Sequence, residues 1–122
     1  MAATGRKTRI VVAGTLHPEY RAVLATYLAH LGTEIVVVPA AEHGAVAAEA
    51  IQRAVDAQTA CVLVQHPNFF GRLEDVASIG AIARGAGALW IVAVDPISLG
   101  VLKRPADYGA DVVVAEGQSL GI

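Results

Sequence analysis

Five short apolar runs, separated by turns and helical patterns, leave this chain few ways to fold. The runs are Arg9–Ala13, Glu34–Val38, Thr59–Gln65, Leu89–Val94 and 111–115, each strand-sized and far below the length of a transmembrane helix. Between the first two, residues 17–31 set Tyr20, Val23, Leu24, Tyr27, Leu28 and Leu31 at helical spacing. Pro18 suits the first turn of that helix and Gly32 its end. Residues 45–56 read as an alanine-rich helix carrying Val46, Ile51 and Val55. Residues 73–84 read as a third, with Glu74 and Asp75 near the positive end of its dipole. Strands alternating with helices predict right-handed βαβ units. The expected architecture is a three-layer αβα sandwich with a mainly parallel sheet of about five strands. The stretch 96–109, with two prolines and Lys103-Arg104, is long for a connection and predicts a short helical turn.

Composition narrows the setting. The 122 residues suffice for one modest domain, 1–122. Hydrophobic residues make up 55% and charged ones only 16%, too little polar surface to cover a small independent globule. We therefore expect a parallel sheet buried on both faces, and also surface covered by a partner or by further chain. A net charge of −2 gives no footprint for nucleic acid or an acidic membrane surface. The N-terminal MAATGRKTRI has charges but no apolar signal-peptide core. Cys61 stands alone in the apolar run 60–64, so no disulfide framework is expected, and the thiol reads as inert packing. A reducing, cytoplasmic compartment fits these features.

Chemistry in such a sheet gathers at the carboxyl ends of the strands. Asp95 follows the fourth run, which is too apolar to leave a buried carboxylate without a cation or several donors. It either faces a protonated heterocyclic nitrogen or bonds to backbone amides in a turn. Asn68, in Gln65-His66-Pro67-Asn68-Phe69-Phe70-Gly71, either donates to a ligand oxygen or caps its turn. Phe69 and Phe70 either wall a flat ring or fill core. His17, opening the first helix, is a ring or anion contact or an N-cap. His30 and His43 read as surface residues, and no ligand spacing suggests a metal site. Gly85-Ala86-Gly87 follows a helix and is punctuation, not a phosphate cradle. After the fifth run come Glu116-Gly117-Gln118-Ser119, with no nucleophilic lysine.

Taken together, these motifs resemble a known family. His17-Pro18-Glu19-Tyr20-Arg21 is followed by Pro67-Asn68-Phe69-Phe70-Gly71 with Glu74-Asp75. Asp95-Pro96 with Ser98-Leu99-Gly100 comes next, and then Tyr108-Gly109-Ala110-Asp111, leading into Glu116-Gly117-Gln118. In that order and spacing they resemble glycine dehydrogenase (decarboxylating), the P-protein of the glycine cleavage system, and most of all its alpha subunit. The likeness runs from about Gly5 onward. It implies the large domain of a fold type I pyridoxal-phosphate enzyme. It implies an assembly that releases the carboxyl group of glycine as carbon dioxide and passes the aminomethyl group to the lipoyl arm of H-protein. Asp95 then corresponds to the aspartate facing the cofactor's pyridine nitrogen. Asn68 lies in the turn approaching the ring, and His17 near the segment that supplies a stacking histidine.

One departure carries weight. Where catalytic relatives place a His-Lys pair, whose lysine binds the cofactor covalently, this chain has Gly117-Gln118-Ser119-Leu120. Lys7 and Lys103 do not follow the right strand. The resemblance thus implies the non-catalytic alpha subunit, with no catalytic residue and no cofactor held by this chain alone. The beta subunit and lipoylated H-protein are its implied partners, in a heterotetramer. Ending at Ile122, the chain is expected to be a segment of such a subunit. Two other expectations stand beside it. One is a self-sufficient flavodoxin-like nucleotide or flavin module using the turns after Ala13, Gln65 and Val94. The other is an inactive sheet fragment that associates through its uncovered edge.

Overall fold

The computed structural model describes residues 2–6 and 8–121; Lys7 lies outside the described residues. All five expected strands form: β1 (Arg9–Ala13), β2 (Glu34–Val38), β3 (Thr59–Gln65), β4 (Leu89–Val94) and β5 (Val112–Ala115). They make one sheet in the order β2-β1-β3-β4-β5, and every neighbouring pair is parallel. The helices α1 (Pro18–Leu28), α2 (Ala48–Ala54) and α3 (Val76–Gly85) supply the crossovers. Short 3-10 turns occupy Pro96–Gly100 and Pro105–Tyr108, where the sequence predicts a helical turn.

Strand alternation divides the apolar residues between two cores. Val11, Ala13, Val62, Val64, Trp90, Val92 and Val94 face one way and are sealed by Ile51 of α2 and Ile79 and Ala83 of α3. Ile10, Val12, Cys61 and Ala93 face the other way, beneath Leu24 and Leu28 of α1. The two sides are covered unequally. No residue of α1 is buried, and Tyr20, Val23 and Tyr27 project from it exposed. All four residues of β5 are exposed as well. The expected double burial therefore holds for the central strands only, and β5 leaves apolar surface open on both faces.

Each helix is shorter than its apolar spacing predicts. His17 is the N-cap of α1, its Nδ1 accepting the Glu19 N–H at 3.2 Å. The helix stops at Leu28, so Leu31 lies beyond it. In α2 the first expected turn is instead a connection, because the Val46 N–H is drawn to a side chain, as described below. α3 begins at Val76, not near 73, because the Asp75 carboxylate accepts the Ser78 N–H and ends the loop there. At Gly14 the β1 turn runs so close to β2 that a Cβ would lie 2.8 Å from the Val38 carbonyl oxygen. The Gly14 N–H donates to that oxygen at 2.7 Å, a contact that only glycine permits.

Candidate functional site

A cavity of about 710 Å³ opens at the carboxyl ends of β3, β4 and β5. Ala93, Val94, Val114 and Ala115 form its apolar floor, and Tyr20 of α1 supplies an aromatic wall. Its polar groups are Gln65, Asp95, Glu116, Gln118 and Ser119. Among the described residues no lysine, arginine or histidine lines it. Polar residues arrive at this edge as the apolar runs stop: β3 ends on Gln65, and Asp95 and Glu116 directly follow β4 and β5. Val94 is the last buried position of β4, and Pro96 turns the backbone away immediately afterwards.

That turn lifts Asp95 out of the core. It is exposed at the cavity, not buried as the flanking apolar run suggests, and so requires no compensating cation. Its Oδ1 accepts the Ile97 N–H at 3.0 Å and stands 3.5 Å from the Ser119 hydroxyl. The backbone reading is the one observed, and the same side chain also reaches the cavity. Oδ1 caps the 3-10 turn, while the carboxylate as a whole lines the cavity.

His17 stands one contact behind the wall. Its ring lies 5.0 Å from that of Tyr20 and meets Phe69 edge-on at 4.9 Å. The His17 N–H donates to Gln65 Oε1 at 2.9 Å, tying the α1 entrance to a cavity residue. Asn68 is turned inward. Its Oδ1 receives the Phe70 and Arg72 N–H groups, and its Nδ2 donates to Gly44 O and Glu74 Oε1. All of its hydrogen-bonding positions are engaged within the chain. Phe69 and Phe70 stay exposed and fill no core. Of the three candidates, Asp95 alone lines the cavity; His17 reaches it through Tyr20 and Gln65, and Asn68 shapes the turn beneath.

Two participants were hidden in the sequence. Gln65 ends an apolar strand, and its polarity at that position was the available signal. Glu74 gave none, since beside Asp75 it reads as a dipole residue. It is in fact buried and faces away from the helix. His66 is also buried; its Nδ1 accepts the Glu74 N–H at 3.1 Å and its ring meets Tyr108 edge-on at 6.2 Å. Burial holds the imidazole below its ordinary pKa, against the opposing pull of the Glu74 charge. His30 and His43 are exposed, and Cys61 is buried, with its thiol pKa raised by burial.

The strand order is also that of flavodoxin-like folds, whose ligands enter the crevice between β1 and β3, where the winding reverses. Here that crevice is bridged by the His17–Gln65 hydrogen bond and by the Phe69 N–H on Thr15 O at 2.9 Å. The open space lies over β4 and β5 instead.

Comparison with known proteins places this geometry in a wider setting. The sequence pattern of the glycine cleavage system P-protein matches residues 1–122. The chain is 49% identical over 116 residues to a probable glycine dehydrogenase (decarboxylating) subunit 1 of Desulfitobacterium hafniense, covering 95% of this chain and 26% of that protein. A crystal structure of an inhibitor-bound glycine decarboxylase (P-protein) superposes with a TM-score of 0.90 at 45% identity, over 99% of this chain and 26% of that one. An aspartate aminotransferase mutant of Thermus thermophilus shares the fold, with a TM-score of 0.74 at 15% identity over 92% of this chain and 33% of the other. The chain thus spans about a quarter of the length of the curated relatives it matches.

Proposed function

The chain belongs to the glycine cleavage system P-protein family, and from that premise we propose that it is a segment of the non-catalytic alpha subunit of glycine dehydrogenase (decarboxylating). In this reading the assembled enzyme removes the carboxyl group of glycine as carbon dioxide and passes the aminomethyl group to the lipoyl arm of H-protein. Pyridoxal phosphate supplies the electron sink for that chemistry. This chain contributes architecture: the carboxyl-edge cavity, the Asp95 carboxylate, and a face for the beta subunit in a heterotetramer. The compartment we assign is the cytoplasm; among the described residues no helix is long and apolar enough to cross a membrane.

The observation that carries the non-catalytic assignment is the turn after β5. Gln118 and Ser119 line the cavity there, and neither can form a covalent link to an aldehyde carbon as a lysine does. Lys103 lies outside the cavity lining. The fit to the cofactor is therefore partial. The apolar floor, Tyr20 and Asp95 suit a flat ring with a protonated nitrogen. The described lining offers no amine for attachment and no cation for a phosphate, so no catalytic step is assigned to this chain.

The test is direct. Incubated with pyridoxal phosphate and reduced with borohydride, the chain should show no stable absorbance band and no stoichiometric adduct at Lys7 or Lys103, the only lysines of the sequence. Loss of carboxyl-labelled carbon dioxide from glycine should require the beta subunit and the remainder of the alpha subunit. A stable internal-imine band with a stoichiometric adduct at either lysine, or turnover by the chain alone, overturns the assignment.

A further inference from the structure

We propose that Glu74 is the positioning residue of the candidate site: one buried carboxylate ties three carboxyl-edge turns together and so fixes His17, Phe69 and Gln65 around the cavity. This rests on reading the carboxyl-edge cavity as the functional site, although its test needs no ligand.

Glu74 is only 4% exposed. Its Oε1 accepts the Thr15 hydroxyl at 2.6 Å and Asn68 Nδ2 at 2.7 Å, and its Oε2 accepts the Val46 N–H at 2.9 Å. Thr15 follows β1, Val46 precedes α2, and Asn68 follows β3, so three separate connections converge on one group. The ion pairs among the described residues join Arg9 to Glu34 and Asp56, and Arg104 to Asp107; none reaches Glu74. A buried carboxylate without a cation persists only where several donors replace its water, which is the arrangement here.

Two of the three donors, Thr15 and Asn68, pass position onward. The carbonyl of Thr15 accepts the Phe69 N–H, and the Phe69 ring stands edge-on to His17. Asn68 sends its second amide hydrogen to Gly44 O, while its Oδ1 holds the Phe70 and Arg72 N–H groups. His17 then anchors Gln65 of the cavity wall. Three hydrogen bonds and one ring contact thus lead from Glu74 through Thr15, Phe69 and His17 to Gln65 at the cavity. A dipole role does not account for this placement, because α3 starts at Val76 and already has Asp75 as its cap. Glutamine at 74 would direct an N–H₂ group at partners that are themselves donors, breaking at least one link of the knot.

The experiment records aromatic and methyl NMR spectra of the 122-residue chain and of E74Q, T15V, T15S and the E74Q/T15V double variant. E74Q and T15V are each expected to shift the His17 and Phe69 ring signals, while the Ile51 and Ile79 methyl signals hold. T15S, which keeps the hydroxyl donor, should retain the parent ring signals. The double variant should shift them by less than the sum of the singles, as expected for two ends of one interaction. A folded E74Q with unmoved ring signals overturns the proposal, and so does one whose core methyl signals move as far as its rim. If E74Q does not fold, T15V against T15S decides: identical ring spectra overturn the proposal, and a shift confined to T15V sustains it.

Discussion

The imidazole of His66 accepts a backbone N–H through Nδ1, and that bond exists only while the ring is neutral. Burial favours the same neutral form and lowers the pKa from its ordinary 6.5, with the Glu74 charge pulling the other way. The linkage sign follows. Above pH 6.5 neither folded nor unfolded chain binds this proton, so the contribution to stability is complete there. Below 6.5 the unfolded chain takes up a proton that the folded chain resists, and stability falls until the folded pKa is reached. Urea midpoints measured on either side of pH 6.5 should show this loss. H66N retains an acceptor near the Nδ1 position without a titrating ring, so its midpoint should vary less across the same window. An unchanged slope in H66N removes His66 as the cause. Gly80 gives a second residue-scale expectation. A Cβ there would lie 2.8 Å from Trp90 Nε1, inside the core sealed by α3. G80A should therefore destabilise by about 1–3 kcal/mol, the usual cost of overpacking, despite alanine's better helix propensity. A urea unfolding curve no less stable than the parent's would show that the indole can shift.

At the scale of elements, α3 is the best case for asking what the sequence made legible. Ile79, Gly80 and Ala83 form its buried face, and that periodicity alone predicts a helix. Its start lies later than the spacing predicts because Glu74 and Asp75 look alike in sequence while doing different things. Asp75 caps the helix at Ser78, while Glu74 leaves the helix to knot distant turns. Capping is local and leaves a trace in sequence; partners 28 and 59 residues away leave none. The strands were legible for the opposite reason, since burial of the central strands demands nearly continuous apolar runs. For the cavity, the topology rule located the right edge of the sheet and Asp95 on it. It did not foresee that Asp95 would stand exposed, whereas for Asn68 the turn-capping alternative is the one observed. The cap itself yields a prediction. D75A should lower stability by about 1 kcal/mol in urea unfolding at neutral pH. The hydrogen bonds from Ser78 depress the Asp75 pKa below its ordinary 3.8, so this contribution is present above that value and is lost as pH falls through the lower folded pKa. The two acid losses therefore occupy different windows, His66 below 6.5 and Asp75 below 3.8. A D75A chain as stable as the parent at neutral pH would reduce the cap to a surface contact.

The whole molecule is asymmetric in a way that composition foreshadows. α2 and α3 seal one face of the sheet, α1 covers part of the other, and among the described residues β5 pairs only with β4. Val112, Val113 and Val114 are 39%, 45% and 48% exposed, so β5 shows apolar side chains on both faces along with a free hydrogen-bonding edge. An open, uncharged valine edge is a template for further strand pairing unless other chain covers it. In relatives roughly four times as long, there is ample chain to do so. Alone, the 122 residues should self-associate as concentration rises, through β5 and not through the face sealed by α2 and α3. Sedimentation velocity over a concentration series measures this. V113K places a charge on the edge strand and should return the chain toward a monomer, whereas a lysine at exposed Glu49 on α2 should not. A chain that stays monomeric at high concentration would mean that β5 is protected by its own twist and short length. Association unchanged by V113K would move the contact to the exposed Tyr20, Val23 and Tyr27 stripe of α1.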